Sequence, residues 1–432
     1  MVKKIIVILL FFTVFSAAEG QQIMTVDEAV QLALKNNFDI LVARNDADIA
    51  KVNNTPGNAG MLPDIQLNGS GIYELNNVHQ KLSSGTENNY SPLSTTTFTA
   101  GTQLSWTLYD GGKMFVTKNK LNEIEALGVI QYKDRVLATM YNVIAAYYDV
   151  VRQKQELTSI NEVINYNRER VTIAQAGYTA GSLIRTDLLQ AKIDLNVTME
   201  SAINQQFIID VAKKALNKLL SQNAEQAIEV SDSIPLKYEP DENELKQKIY
   251  SSNTSVLTFQ KQIDVAKLSL REFNASYLPT VNFNAGYYFS HSNNSTGSTL
   301  LNRTVGPQIG GNVVIPLFSA GENKRKVSTA RLQLQSAEYD LQNVKLQVNT
   351  DLLNALTGFK NQQKLMLIEK ENNELNKEYI EICLQRLRLG QSTSLELHQA
   401  QDGYVQSSTR LINFEYNLKI AEIKLKQLIA TL

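Results

Sequence analysis

Four stretches of the chain alternate apolar and polar residues with period two, the signature of a strand with one apolar and one polar face. In 64–75, Ile65, Leu67 and Tyr73 alternate with Gln66, Asn68, Ser70 and Glu74. In 97–109, Phe98, Ala100, Leu104, Trp106 and Leu108 alternate with Thr99, Gln103, Ser105 and Thr107. Strands over 280–290 and 305–317 follow the same rule. There Val281, Phe283, Ala285, Tyr287 and Phe289 oppose Asn282, Asn284 and Ser290, and Val305, Ile309, Val313 and Ile315 oppose Gln308 and Asn312. The segments between paired strands, 75–97 and 291–304, are rich in Ser, Asn, Thr and Gly and predict long loops.

The pattern then changes to that of helices. Segments 113–176 and 322–385 contain no Pro, and at a rise of about 1.5 Å per residue each predicts a helix of about 95 Å. Such lengths belong to coiled-coil-like assemblies rather than globular cores. Return helices over 184–220 and 393–430 carry heptads: Leu188, Leu195, Ala202, Ile209 and Leu216 in the first, Leu397, Tyr404, Leu411, Leu418 and Leu425 in the second. A second seam position, occupied by Ala191, Thr198, Gln205, Ala212 and Leu219 and by Ala400, Ser407, Phe414, Ala421 and Leu428, holds many small residues, so helices can approach closely. Shorter helices are predicted over 26–55 and 241–275, the first opened by a Thr25/Glu28 capping box. Stacked end to end, a short helix and a return helix form one stave beside a long one.

These elements occur twice. Met61-Leu62-Pro63 is answered by Tyr277-Leu278-Pro279, and Tyr109-Asp110-Gly111-Gly112 by Phe318-Ser319-Ala320-Gly321. Gly181 and Gly390, Asp187 and Glu396, and Gln190 and Gln399 recur at one constant spacing. The chain therefore reads as a duplicated helix-strand-strand-long helix-helix unit, with repeats over 21–221 and 241–432. The linker 222–240 holds the helix-breaking Pro235 and Pro240. The tips between long and return helices fall at 177–183 and 386–392.

Residues 1–20 read as a secretory signal, with Lys3 and Lys4, an apolar run over 5–15, then Ser16, Ala17, Ala18 and Gly20. No other apolar run is long enough for a transmembrane helix, so any crossing of a membrane is by strands. The 432 residues carry 42 Lys+Arg against 43 Asp+Glu, and no basic stripe argues for nucleic acid. Cys383, the single cysteine, reads as a helix-packing residue. His79, His291 and His398 have no His or Cys at metal spacing, and no phosphate-binding loop is present. No catalytic constellation emerges: neither an enzyme nor a cofactor or metal is expected.

Four strands with a lipid-compatible face cannot close a barrel, and an open sheet edge is not tolerated in lipid. The chain must pool strands with copies of itself. Three copies, giving twelve strands and a lumen, suit a conduit better than two, because an eight-stranded barrel is filled by its own side chains.

Together, the leader, the duplicated unit, the Leu-Pro entry to the first strand of each pair and the Gly-containing exits from the second resemble the TolC-like outer-membrane efflux proteins. The tips, where a Gly turn precedes an acid and a Gln-Ala pair (Gln190-Ala191 and Gln399-Ala400), share the likeness, which covers essentially the whole mature chain. It implies an α+β membrane protein in the bacterial outer membrane. The expected homotrimer forms a twelve-stranded transmembrane β-barrel continuing into a periplasmic α-helical coiled-coil barrel. Such a protein is the passive exit duct of a tripartite efflux pump or type I secretion system. Its implied partners are a periplasmic adaptor (membrane fusion protein), an inner-membrane transporter and outer-membrane lipid. The alternative is a periplasmic coiled-coil scaffold without a channel.

The resemblance also assigns roles. Asp187, Glu396 and Gln399 fall at the periplasmic aperture; the family carries a second acid where this chain has Gln399. The family's Arg and Tyr latch positions are Ser392 and Leu387 here, leaving Arg185, Arg386 and Arg388 as substitutes. The turns Gly181, Ser182, Leu183 and Gly390, Gln391, Ser392 match adaptor-contact turns, with Leu183 the preferred contact. Trp106, Tyr109 and Phe318 stand where interface aromatics are expected at strand ends. Replacing Leu195 or Leu411 by Ala is expected to cost about 2–5 kcal/mol if the heptad seam is buried; an unchanged melting profile in both variants would contradict tight packing there.

Overall fold

A computed structural model describes residues 23–432; the signal sequence expected over 1–20 lies outside them. The chain runs β1 (Ile23–Met24), α1 (Val26–Asn36), α2 (Phe38–Asn53), β2 (Asp64–Lys81), β3 (Glu87–Asp110), α3 (Lys113–Thr179) and α4 (Arg185–Leu219). It continues through β4 (Glu229–Val230), α5 (Glu242–Ser252), α6 (Thr254–Ala275), β5 (Thr280–Asn294), β6 (Leu301–Val314), α7 (Glu322–Arg388) and α8 (Ser394–Leu428). These residues divide into two units. One gathers 23–42, 133–253 and 347–432; the other gathers 43–132 and 254–346.

The second unit holds an antiparallel sheet of order β2-β3-β5-β6. Its register places Leu67 opposite Thr102, Thr102 opposite Tyr287, and Tyr287 opposite Pro307. One face thus collects Ile65, Leu67, Phe98, Leu104, Phe289 and Ile309, while the other collects Gln66, Asn68, Gln103, Asn284, Gln308 and Asn312. No other described residues cover the apolar face: Leu67 is 79% and Ile309 73% exposed. β2 and β6 are unpaired edges. Pro307, which has no N–H to give, is placed where the fold tolerates it, on edge strand β6.

The strands differ from the alternation in two ways. β2 and β3 extend through most of 75–97, leaving only 82–86 as a turn, and 295–300 alone separates β5 from β6. The expected long loops are therefore mostly paired strand. A register shift between Asn76 and Val78 breaks the period-two signal while the ladder continues, with Lys81 and Glu87 paired at 2.7 Å beyond it. At the other end β6 stops at Val314 rather than 317, because Pro316 cannot donate to a ladder. Phe318 consequently lies outside the strand and is 90% exposed.

In the first unit, the heptad seam of α4 and α8 is buried or half-buried throughout, Leu195 and Leu411 being half-buried. The core joins Ala29 and Ala33 of α1, Val143, Tyr147, Val150 and Val151 of α3, Ala212 and Leu216 of α4, and Val230 of β4. β1 and β4 pair in parallel beside it. Tyr147 Oη donates to Met24 O at 2.8 Å and accepts from Ser231 N–H at 3.1 Å, tying the chain's start to the segment after β4. Glu229 receives Lys154 at 2.5 Å and Lys213 at 2.8 Å. Its burial alone would raise its carboxyl, but these two hydrogen-bonded ammonium groups outweigh it and hold the pKa below its ordinary value.

The capping box forms as expected: Thr25 N–H donates to Glu28 at 2.8 Å and Glu28 N–H to Thr25 Oγ1 at 3.2 Å. The two short helices, expected as unbroken over 26–55 and 241–275, are instead interrupted at Asn37 and Asn253. Both asparagines take the same extended conformation, φ −64° with ψ 125° and 122°. Asn37 Oδ1 caps α2 by accepting Asp39 N–H at 2.9 Å and Ile40 N–H at 3.3 Å. Its Nδ2 donates to Leu219 O at 2.8 Å, and Asn253 Nδ2 donates to Leu428 O at 2.9 Å. Each break therefore pins the last turn of a return helix, satisfying a carbonyl that the helix itself cannot. Both asparagines are buried. Asn37→Ala or Asn253→Ala should lower stability by about 1–3 kcal/mol through the orphaned carbonyl. Asn37→Asp, which keeps the cap acceptor but loses the donor, should not restore it; denaturant unfolding of the solubilised protein measures both.

Candidate functional site

The two hairpin tips are closed by the same backbone device. Gly181 and Gly390 take φ of +76° and +68°, the left-handed conformation that ends a helix at low cost only for Gly. Past each Gly, Ser182 N–H returns to Gly177 O at 2.9 Å and Gln391 N–H to Arg386 O at 2.8 Å. These bonds satisfy the last carbonyls of α3 and α7.

The side chains at the two tips behave differently. Leu183, expected as an exposed contact, is half-buried and folds back onto its own hairpin beside Val171, Ala174, Leu188 and Ala191. A Cβ at Gly177 would stand 2.7 Å from Leu183 Cδ1, so the close approach requires the glycine. The apolar side chain left outward at this tip is Ile184, 66% exposed. The second tip presents Leu389 and Leu395, 71% and 65% exposed. Ser182 is exposed with its hydroxyl on Gly177 O at 3.1 Å, and Gln391 is exposed. Leu387, expected at a latch position, packs against the core of Ile380, Cys383, Leu384 and Leu397. Cys383 is fully buried there.

Glu396 is held within its own hairpin. Arg386 Nη1 reaches Oε1 at 2.9 Å, Ser392 Oγ donates to Oε2 at 2.8 Å, and Arg386 Nη2 also donates to Gln391 O at 3.0 Å. Thr393 caps α8 by accepting Glu396 N–H at 3.2 Å. Glu396, Ser392 and Arg386 thus form one clasp across the turn. Asp187 is half-buried in the first turn of α4, where the helix dipole favours a carboxylate, and Gln399 is exposed.

Below the tips, polar side chains join the first hairpin to α8. Arg170 of α3 is 2% exposed; its guanidinium meets Asp194 Oδ2 of α4 at 2.7 Å and Ser394 Oγ at 2.6 and 3.1 Å. Gln401 Nε2 donates to Asn167 Oδ1 at 3.0 Å, and Arg388 pairs with Glu169. His398 stands 3.9 Å from Asp194 and 3.6 Å from Asp402. A cavity of about 240 Å³ is lined in part by Asn167, Asp194, His398, Gln401 and Asp402. Tyr404 donates to Glu162, and burial together with that carboxylate pushes its phenol up. None of these partners was apparent from spacing, because a charged residue inside a long helix ordinarily reads as a solvated face.

At the sheet, Trp106 is on the apolar face near the helix-connected end. It is 38% exposed and donates through Nε1 to Met61 O at 3.0 Å. Tyr109 is 42% exposed. The described residues contain no group of three or more His, Cys, Asp or Glu able to hold a metal.

Long-helix hairpins with glycine-turned tips, and a sheet polar on one face and apolar on the other, fit a channel component of the outer membrane. The model of the outer membrane efflux protein family matches residues 29–222 and 245–431, and the chain belongs to that family. It is 20% identical over 438 residues to the proteases secretion protein PrtF of Dickeya chrysanthemi, covering 98% of this chain and 92% of PrtF. It is also 20% identical over 333 residues to the outer membrane efflux protein BepC of Brucella suis, covering 76% and 71% of the two chains. The fold is that of the CmeC outer membrane channel of Campylobacter jejuni, with TM-score 0.79 at 18% identity over 94% of this chain and 85% of CmeC. The outer membrane protein VceC of Vibrio cholerae gives 0.77 at 15% identity, over 94% and 96%.

Burial separates the two arginines of the tip region. Arg170→Ala removes the buried guanidinium and leaves Asp194 with Gln190 Nε2 at 2.7 Å and His398 at 3.9 Å, and should cost about 3–5 kcal/mol. Arg386→Ala breaks a largely exposed pair and should cost under about 1 kcal/mol. Equal shifts in the unfolding midpoint would contradict the assignment.

Proposed function

We propose that three copies of this chain form a passive outer-membrane exit duct, fed from the periplasm by an adaptor and an inner-membrane transporter. The observation that carries the reading is the sheet: four strands, an uncovered apolar face, a polar face and two unpaired edges. In lipid the edges of β2 and β6 need partners, and the same edges on other copies supply them by closing a ring. A second uncovered surface supports the same association. Leu189, Ile193, Val197, Ile203, Phe207 and Val211 form an exposed apolar stripe along α4. Covering each such side chain is worth about 1.5–3 kcal/mol. A periplasmic scaffold with a soluble sheet would leave both surfaces in water.

In this reading the polar strand face lines the lumen, and the protein carries out no catalytic step. Gly181, Ser182 and Leu183, with Gly390, Gln391 and Ser392, shape the turns that meet the adaptor, and Ile184 and Leu389 supply the apolar contact. Asp187, Glu396 and Gln399 stand at the aperture. Because the Arg386–Ser392 clasp neutralises Glu396, Asp187 is the acid with the larger influence on ions entering. Trp106 and Tyr109 belong to the periplasm-side aromatic belt; Phe318, beyond the strand, sits next to it.

Mass measurement in detergent should give three copies, and the protein should conduct in planar bilayers and resist extraction by high salt. A monomer stable without detergent would overturn the duct. Ile184→Asp and Leu389→Asp should abolish export in cells while leaving the three-copy mass unchanged. Unimpaired export would move the adaptor contact elsewhere.

A further inference from the structure

The apolar face of the sheet carries two basic side chains next to each other at the end away from the helices. His291 of β5 is directly opposite Arg303 of β6, and Phe98 of β3 is opposite His291 on its other side. One step toward the helices, the Phe289 ring supports both. It stacks on His291 with centroids 6.4 Å apart and planes 4° from parallel, and the Arg303 guanidinium lies 5.4 Å over it. Phe98 flanks the same ring at 6.2 Å. Arg303 is exposed and has no carboxylate partner among the described residues, whereas Lys81, the other Lys or Arg of the four strands, is paired with Glu87. The acids Asp64 and Glu74 pair into the ladder on the polar face.

An unpaired guanidinium costs the protein when it faces hydrocarbon, and it is worth most where an anion meets it. β5 and β6 turn back just beyond this pair, at 295–300, and only Tyr73, Leu75 and Leu301 of the apolar face lie further out, so the pair stands near the outer end of the apolar band. The outer leaflet of a bacterial outer membrane consists of phosphorylated glycolipid, whose phosphates lie at that depth with acyl chains below them. We propose that Arg303, held over Phe289 with His291 beside it, is a binding site for the phosphate of one outer-leaflet glycolipid, with Phe98 and Phe289 against its acyl chains. Arg303 is the anchor: its planar fork can donate two parallel hydrogen bonds to phosphate oxygens. His291 supplies an adjacent ring N–H. The inference rests on the duct reading, which sets this face against lipid.

Native mass spectrometry of the detergent-solubilised protein tests the site, with diphosphoryl lipid A, fully dephosphorylated lipid A and inorganic phosphate as probes. The native protein should retain diphosphoryl lipid A. Arg303→Ala should weaken retention about tenfold, the loss expected for one charge-assisted contact. Dephosphorylated lipid A should bind the native protein no better than diphosphoryl lipid A binds the variant. Thr304→Ala, altered on the opposite face, should retain lipid A as the native protein does. Equal retention by native protein and Arg303→Ala, or indifference to the phosphates, would overturn the proposal. So would displacement of lipid A by inorganic phosphate at millimolar concentration, which would make this a free-phosphate site. Conductance of the native protein in phosphatidylcholine bilayers is read separately. A conducting protein that ignores lipid A fails this inference alone, whereas a non-conducting one fails the duct.

Discussion

A strand edge in hydrocarbon has no water to satisfy its N–H and C=O groups, and each unpaired group costs several kcal/mol. This chain makes two such edges, β2 and β6, and cannot bring them together itself with four strands. The remaining features of the sheet follow from that constraint. Its apolar side chains have no core to enter, its polar side chains face one another's side of the ladder, and Pro307 is confined to an edge. Association is thus part of the fold rather than an addition to it. The exposed stripe on α4 shows the helical unit under the same demand, met through side chains instead of backbone.

Within the helical unit the backbone accounting is done by side chains at unexpected places. Two asparagines interrupt helices in one shared conformation and spend their amides on distant helix ends. At the tips, glycine turns satisfy the ends of α3 and α7 through the backbone, and the acid that resemblance places at the mouth is claimed by an arginine and a serine of its own turn. Ser392, where the resemblance implies an arginine, bonds Glu396 together with Arg386.

Period two in 97–109 and 280–290 is a strong signal, because each residue type is dictated by the face it occupies, and the strands were legible there. Beyond Asn76 the register shift removes the alternation while hydrogen bonding continues, so the ladder's true extent left no mark in the pattern. The heptads of α4 and α8 were legible because burial repeats every seven residues. The breaks at Asn37 and Asn253 were not, since neither Pro nor Gly marks them; the preference of Asn for N-cap positions is the signal that could have found them. Leu183 was misplaced for a related reason: turn chemistry locates the chain at an exposed tip but does not say that Gly177 opens a slot beneath the side chain. Arg170 was overlooked because its burial depends on α8, a helix more than two hundred residues away.

The two kinds of fastening in the helical unit respond differently to the medium. The asparagine pins are neutral amides bonded to neutral carbonyls, indifferent to dissolved ions. The tip clasp of Arg386 and Glu396 and the nearby Arg388–Glu169 pair are charged and partly wet, so they weaken as ionic strength rises and the screening length falls from about 10 Å at 0.1 M toward about 3 Å at 1 M. Rising salt around the protein therefore loosens the fastenings at the hairpin tips and leaves the asparagine pins as they are.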